Sequence, residues 1–194
     1  MYVFGNGESR TSIDIDKLDG PKIGCNAIHR DYYMDHLVCV DRRMAQEAIN
    51  ANIKSKIYTR TDWAPMFKGA VRTVPPLPYI GDRRWDEPFQ WGSGPYAVLM
   101  ASMYTTNKCV NLIGFDLWSK NKHVNNVYKD TPNYENADYR AVDPRYWIHQ
   151  IGMVFKCFPN TQFIIYQEDW ELPETWKYPN VTVDNISNIS YNNN

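Results

Sequence analysis

The sequence predicts an α/β domain: a mostly parallel sheet with helices on both faces and an irregular lid segment. Three observations predict it. Short, continuous apolar runs alternate with stretches of helical periodicity, the pattern of strands joined by crossovers. The chain opens on an apolar run, Tyr2-Val3-Phe4, followed by a tight polar turn, Gly5-Asn6-Gly7-Glu8-Ser9. Its 194 residues fit one domain with a sizeable core.

The elements follow in order. Residues 2–4 form the first strand, and the glycine turn sits at its carboxyl end. Ser12 and Asp14 open a short helix carrying Ile13, Ile15 and Leu18. Residues 21–25 read as a second strand ending in Asn26, followed by a charged aromatic segment, His29-Arg30-Asp31-Tyr32-Tyr33. Leu37-Val38-Cys39-Val40 is a third strand ending in Asp41. Residues 43–52 form a helix with Met44, Ala48 and Ile49 on one side. Ile57-Tyr58 is a short strand. Residues 60–92 are rich in Pro, Trp, Arg and Asp, with a strand only at 70–74, and read as a lid over the sheet. Gly92-Ser93-Gly94-Pro95 opens a helix through Tyr104, with Pro95 in its first turn. Residues 109–113 are the next strand, ending in Gly114-Phe115-Asp116. A polar segment rich in Asn, Lys and Tyr spans 118–138. Asp143 caps a helix that carries Ile148, Ile151, Val154 and Phe155. Residues 163–166 are the final strand. The expected domain spans 1–184, with a polar flexible tail at 185–194.

The net charge is -1, which supplies no basic field for nucleic acid. No apolar run is long enough for a membrane span. Cys25, Cys39, Cys109 and Cys157 lack metal-ligand spacing and read as free thiols, mostly buried. Together with an amino terminus that runs directly into a strand, they predict a cytoplasmic protein. No metal site is expected.

Strand–turn–helix is how a Rossmann-like sheet begins, and such sheets hold ligands beyond the carboxyl ends of their strands. Gly5-Asn6-Gly7, Cys25-Asn26, Gly92-Ser93-Gly94 and Gly114-Phe115-Asp116 all fall on that edge. The series resembles the bacterial sialyltransferases of glycosyltransferase family 42 and the wider Rossmann group sharing their signatures. The resemblance rests on Gly5 to Ser9, Ile13-Asp14 and Leu18; on Cys25-Asn26 and Asp31-Tyr32-Tyr33; on Ser93-Gly94; and on Gly114-Phe115-Asp116. It implies a CMP-sugar donor and a glycan or small-molecule acceptor, with no further cofactor required. It also implies that Gly5, Asn6, Gly7, Ser9, Cys25, Asn26, Gly92, Ser93, Gly94 and Asp116 line the donor site. Asn6 and Asn26 would bind the nucleotide. Ser93 and the helix amides beside it would hold the phosphate or sugar-acid end.

Two departures bear on chemistry. Where the family carries a phosphate-contacting Tyr stands Trp118, and Tyr128 is the later candidate. Where the family keeps its general-base His, the chain reads Tyr139-Arg140-Ala141-Val142-Asp143. His123, Asp143 and His149 are the remaining candidates for a base that deprotonates an acceptor hydroxyl. Each residue also has a plainer role. Asp116 is a ligand contact or a turn cap, and His149 a base or a structural histidine. Arg83-Arg84-Trp85-Asp86 is a phosphate clamp or an ion-pair cluster, and the aromatic residues of the lid stack on ligand or bury a homo-oligomer interface. His29 and His36 read as solvated loop residues. Two alternatives keep the fold. One is a pyrophosphokinase-like enzyme holding Mg²⁺ through Asp41 and Asp116. The other is a non-enzymatic accessory or structural protein in the style of phage-encoded proteins, located in the host cytoplasm.

Overall fold

A computed structural model describes residues 1–119 and 121–191. Eight strands form one sheet: β1 (Tyr2–Phe4), β2 (Lys22–Cys25), β3 (His36–Val38), β4 (Lys56–Thr59), β5 (Arg72–Thr73), β6 (Cys109–Ile113), β7 (Gln162–Gln167) and β8 (Val181–Asn185). Their order is β5-β4-β3-β2-β1-β6-β7-β8 and every pairing is parallel. This is the α/β, Rossmann-like architecture expected.

Among the described residues three α-helices cover the sheet: α1 (Arg42–Asn50), α2 (Ser93–Tyr104) and α3 (Arg145–Cys157). Alternation along the strands separates two cores. Val3, Ile23, Val38, Leu112 and Ile165 face α2 and α3, whereas Phe4, Leu37, Ile57 and Ile113 face α1 and a set of 3₁₀ turns. Helix α2 is buried around most of its circumference, including Ser93, Tyr96, Met100 and Ser102, because it crosses β1, β2, β3 and β6 while α3 covers its outside. No helix among the described residues is long and apolar enough to cross a membrane.

Several elements differ from expectation. The segment after β1 folds as 3₁₀ turns, Glu8–Ser12 and Ile15–Lys17, and not as an α-helix. Its buried residues explain this: Ile13 and Ile15 are two apart, a spacing that no single α-helical face accommodates. The last strand is β8, which the sequence reading omitted. Val181-Thr182-Val183 supplies β-branched residues, but the Asp184-Asn185 that follow are poor strand formers. The stretch expected as a tail begins inside this strand, and Ile186 and Ile189 bury themselves beside Phe4 and Ile113. Asn192, Asn193 and Asn194 lie outside the described residues. His36 lies within β3, against the rings of Tyr58 and Tyr104. The His29 side chain is shielded from solvent, at 3% exposed.

The order of the strands positions the site. From β1 the chain works outward to β5, and α2 then carries it back to β6 on the opposite side of β1. The loops after β1 and β6 therefore leave the sheet in diverging directions, which is the topological switch point where α/β sheets hold ligands.

Candidate functional site

The two central loops are packed against each other backbone to backbone. Gly5 N donates to Ile113 O at 2.8 Å and Gly7 N to Gly114 O at 2.9 Å, extending the β1–β6 ladder. A Cβ at Gly5 would lie 2.2 Å from Gly114 O, and one at Gly7 would lie 2.4 Å from Asp116 Cγ. Gly114 itself sits at φ +74. These glycines serve loop-to-loop closeness. Asp116 locks the junction: Oδ1 accepts from the Ser9 hydroxyl and from Gln167 Nε2 at 2.9 Å, and Oδ2 accepts from Ser9 N at 3.0 Å.

The ends of β2 and α2 form the next wall. Asn26 adopts a left-handed φ of 51, which Asn tolerates better than most residues. His29 Nδ1 lies 2.8 Å from its carbonyl oxygen. Ser93 Oγ donates to Asn26 Oδ1 at 2.8 Å and accepts from Val40 N at 3.1 Å. That hydroxyl ties three loops together, leaving Asn26 Nδ2 without a partner among the described residues. Among the described residues no side chain caps α2 at Gly92, so the amides of Ser93 and Gly94, both cleft-lining residues, are left as anion donors. Asn6 Nδ2 donates to Cys25 O at 3.1 Å and Tyr134 OH at 3.2 Å. Its Oδ1 is buried with no partner among the described residues.

These groups line a cleft of about 410 Å³, large enough for a nucleotide-sized ligand. Its outer wall comes from residues 117–119, 124–126, 134–135 and 141–142, with Tyr146 and Trp147 of α3. Sequence reasoning missed Tyr134, Glu135, Asn125, Asn126, Tyr146 and Trp147, because polar loops carry no periodicity to mark which side chains turn inward. Among the described residues no Lys, Arg or His lines the cleft, and the charged residues that do are Asp41, Asp116 and Glu135. Asp41 caps α1 through Arg43 N at 2.7 Å and pairs with the Arg43 guanidinium at 3.3 Å. Asp116 is fully engaged, and Glu135 has no hydrogen-bonded or ion-paired side chain among the described residues. Beneath Gly114, Arg10 is buried with its Cβ and Cδ 3.2 Å from where a Gly114 Cβ would stand. Its Nη2 donates to Tyr128 OH at 2.8 Å, and it has no carboxylate partner in direct contact among the described residues. A positive charge thus lies behind the cleft floor.

Of the expected donor-site residues, Gly5, Asn6, Gly7, Cys25, Asn26, Gly92, Ser93, Gly94 and Asp116 line the cleft. Ser9 supports it through Asp116. The Cys25 thiol is buried in the core, and that burial pushes it up to about 12, so its contribution is the backbone carbonyl. Tyr128 points away: its hydroxyl donates to Asp31 Oδ2 at 2.6 Å, and burial first, then Asp31, raises it well above the ordinary tyrosine value. The tyrosines that line the cleft are Tyr146 and Tyr134, and burial pushes Tyr134 up to about 12.

The three catalytic candidates stand elsewhere. His123 is exposed in an antiparallel bridge to Arg140, with Nδ1 3.0 Å from Asp138 O. Pro144, and not Asp143 as expected, takes the N-cap position of α3. Asp143 stands one residue before it, accepting from Arg145 N at 3.0 Å, and the Arg145 guanidinium beside it holds its carboxyl below the usual range. His149 Nε2 is 2.6 Å from Asp86 Oδ1, which also accepts from Tyr79 OH at 2.9 Å. That cluster, with Gln150 Nε2 bonded to Trp85 O and Gln90 O, fastens residues 79–91 to α3. The segment expected as a lid contributes to the cleft only from Gly92. Nor do the residues fit Mg²⁺. Both Asp116 oxygens are hydrogen-bonded and Asp41 is paired with Arg43. No three His, Cys, Asp or Glu side chains among the described residues converge to hold an ion.

No protein-family model matches this chain, and no curated protein matches it. One similar solved structure is that of the sialyltransferase CST-II in complex with trisaccharide acceptor and CMP. The two chains are 15% identical, the match covers 84% of this chain and 79% of that one, and the TM-score is 0.47.

Proposed function

We propose that the cleft binds a nucleotide-activated sugar of the CMP-sugar type and that the protein transfers the sugar to an acceptor hydroxyl. The observation that carries this reading is the convergence, at the β1–β6 switch point, of polar groups unengaged among the described residues: the α2 amides and Asn26 Nδ2. The amides suit a phosphate. Asn26 Nδ2 offers a donor to a base edge or ribose. Among the described residues the lining holds three carboxylates and no basic side chain, which suits a monophosphate better than a diphosphate.

The chemistry then needs a base and a place for the leaving charge. Glu135 is the one carboxylate of the lining with no hydrogen-bonded or ion-paired side chain among the described residues, with the Arg43 charge as a more distant neighbour. In the transfer, Glu135 takes the acceptor's O–H proton as its oxygen forms a bond to the anomeric carbon. The bond from that carbon to the phosphate oxygen breaks with inversion, and the charge left on phosphate rests against the Ser93 and Gly94 amides. General-base assistance of this kind contributes about 10²–10⁴-fold. Glu135→Gln should therefore reduce transfer by at least about 10²-fold while leaving the thermal shift caused by CMP intact. Equal turnover in the variant would remove Glu135 from the mechanism.

The binding claim is tested with Asn26→Gly, which keeps the left-handed backbone and deletes the amide. CMP should stabilise the wild type and lose most of that effect in the variant, by differential scanning fluorimetry. An unchanged shift would place the nucleotide elsewhere.

A further inference from the structure

We propose that the exposed face of Trp118 is a stacking platform for a pyranose ring at the mouth of the cleft; this rests on the nucleotide-sugar reading above. Trp118 lines the cleft and is 40% exposed. Its neighbourhood is built to hold it there. Trp118 N donates to Asp116 O at 2.7 Å, closing a three-residue turn around Leu117 at φ 64. A hydrogen-bonded turn of this kind with a positive central φ is rare and strained, and Leu has none of glycine's freedom there. The strain persists because the surroundings fix the turn on both sides. Asp116 is anchored by Ser9 and Gln167, and Trp118 O accepts from Asn125 Nδ2 at 3.1 Å.

The indole is backed as well as aimed. Trp118 stacks on Trp170 with ring centroids 5.5 Å apart and planes 17° apart. Trp170 Nε1 donates to Asp116 O at 3.1 Å, and its ring lies 6.0 Å from the fully buried Trp176. One indole face is covered by a braced ring, and the remainder is left to the cleft mouth. A rigid, flat apolar surface of this sort binds without losing rotamer freedom.

A sugar ring presents a patch of C–H groups on one face and hydroxyls around its edge. The apolar patch suits an indole face. The hydroxyls need planar polar side chains, and Asn126 and Glu135 line the same cleft. Asn126 Oδ1 accepts from Tyr128 N at 2.9 Å, which leaves its Nδ2 unpartnered among the described residues. The nucleobase is assigned to Asn6 and Asn26, at the ends of β1 and β2, so the ring at the rim is the sugar.

The test compares CMP with CMP-sialic acid on the wild type, Trp118→Leu and Trp118→Phe, by titration calorimetry, with near-ultraviolet circular dichroism to verify folding. CMP-sialic acid should bind the wild type more tightly than CMP. Trp118→Leu should weaken CMP-sialic acid about tenfold and leave CMP within about twofold. Trp118→Phe, which keeps a flat ring, should retain most of the affinity. Equal losses for both ligands in Trp118→Leu would mean that the indole stacks on the base, and no loss for either would make it a surface tryptophan; each result overturns the platform while leaving the nucleotide site standing. If neither ligand binds the wild type, the nucleotide reading falls and takes the platform with it.

Discussion

Asn6 spends its amide on the fold and leaves its carbonyl unpaired. Nδ2 fastens the β2 end and Tyr134, while Oδ1 is buried without a partner among the described residues. An unsatisfied buried acceptor costs about 1–3 kcal/mol. The flanking glycines are a different matter. The sequence marks Gly5-Asn6-Gly7 as a turn at a strand end, but the reason for its glycines is Gly114 O and Asp116, atoms of a loop distant in the chain. Gly5→Ala should therefore destabilise the fold even without ligand, by about 2 kcal/mol from overpacking. That corresponds to a fall in Tm of roughly 4–8 °C for a protein of this size. An unchanged melting curve would mean that the β1 and β6 loops separate easily. Asn26 and Ser93 show the same division: their positions were legible at the ends of elements, whereas the bridge from Ser93 to Val40 was not.

Among the elements, the parallel strands were the most legible, because burial on both faces writes them as unbroken apolar runs. Strand β8 was not, because it lies at the sheet edge with Thr182 and Val183 exposed. Its continuation is core and not tail. Deleting residues 186–194 removes buried Ile186 and Ile189, which should cost on the order of 3 kcal/mol and lower Tm by roughly 6–12 °C. A polar tail with no packing role would leave Tm unchanged. The segment 79–91 offers a second test at this scale, through Asp86. Burial works against its charge, but hydrogen bonds from His149, Arg83 N and Tyr79 outweigh it and hold the carboxyl below its ordinary value. A carboxyl depressed by folding stabilises the protein above its unfolded value of about 3.9, and that stability is lost as pH falls through the folded value. Asp86→Asn should therefore lower Tm at pH 7, by a margin that shrinks as the pH is lowered through about 4. A margin that is constant with pH would show that the carboxylate's charge does not hold the segment. The polar segment at 118–138 was the least legible. Tyr128 and Tyr134 look alike in sequence, yet Tyr128 turns into the core toward Arg10 and Asp31, and Tyr134 turns into the cleft.

Across the whole molecule, the sheet's reversal at β1 and β6 gathers residues from both halves of the chain into one crevice. The sequence could place Asn6, Asn26, Ser93 and Asp116 on one edge because every strand of a parallel sheet ends on the same side. It could not show that the crevice would be closed by the loop after β6 and the start of α3, nor that the three expected bases would stand outside it. The central claim is that this crevice is a nucleotide site whose phosphate is held by the α2 amides, with Arg10 behind the floor and no metal ion. The most direct measurement is differential scanning fluorimetry with CMP, UMP, AMP and GMP at millimolar concentration, with and without EDTA. A nucleotide at 100 times its Kd adds about 2.7 kcal/mol, a rise in Tm of roughly 5–10 °C for a protein of this size. The account predicts such a rise with CMP, unaffected by EDTA. No rise with any nucleotide, or a rise abolished by EDTA, would contradict it.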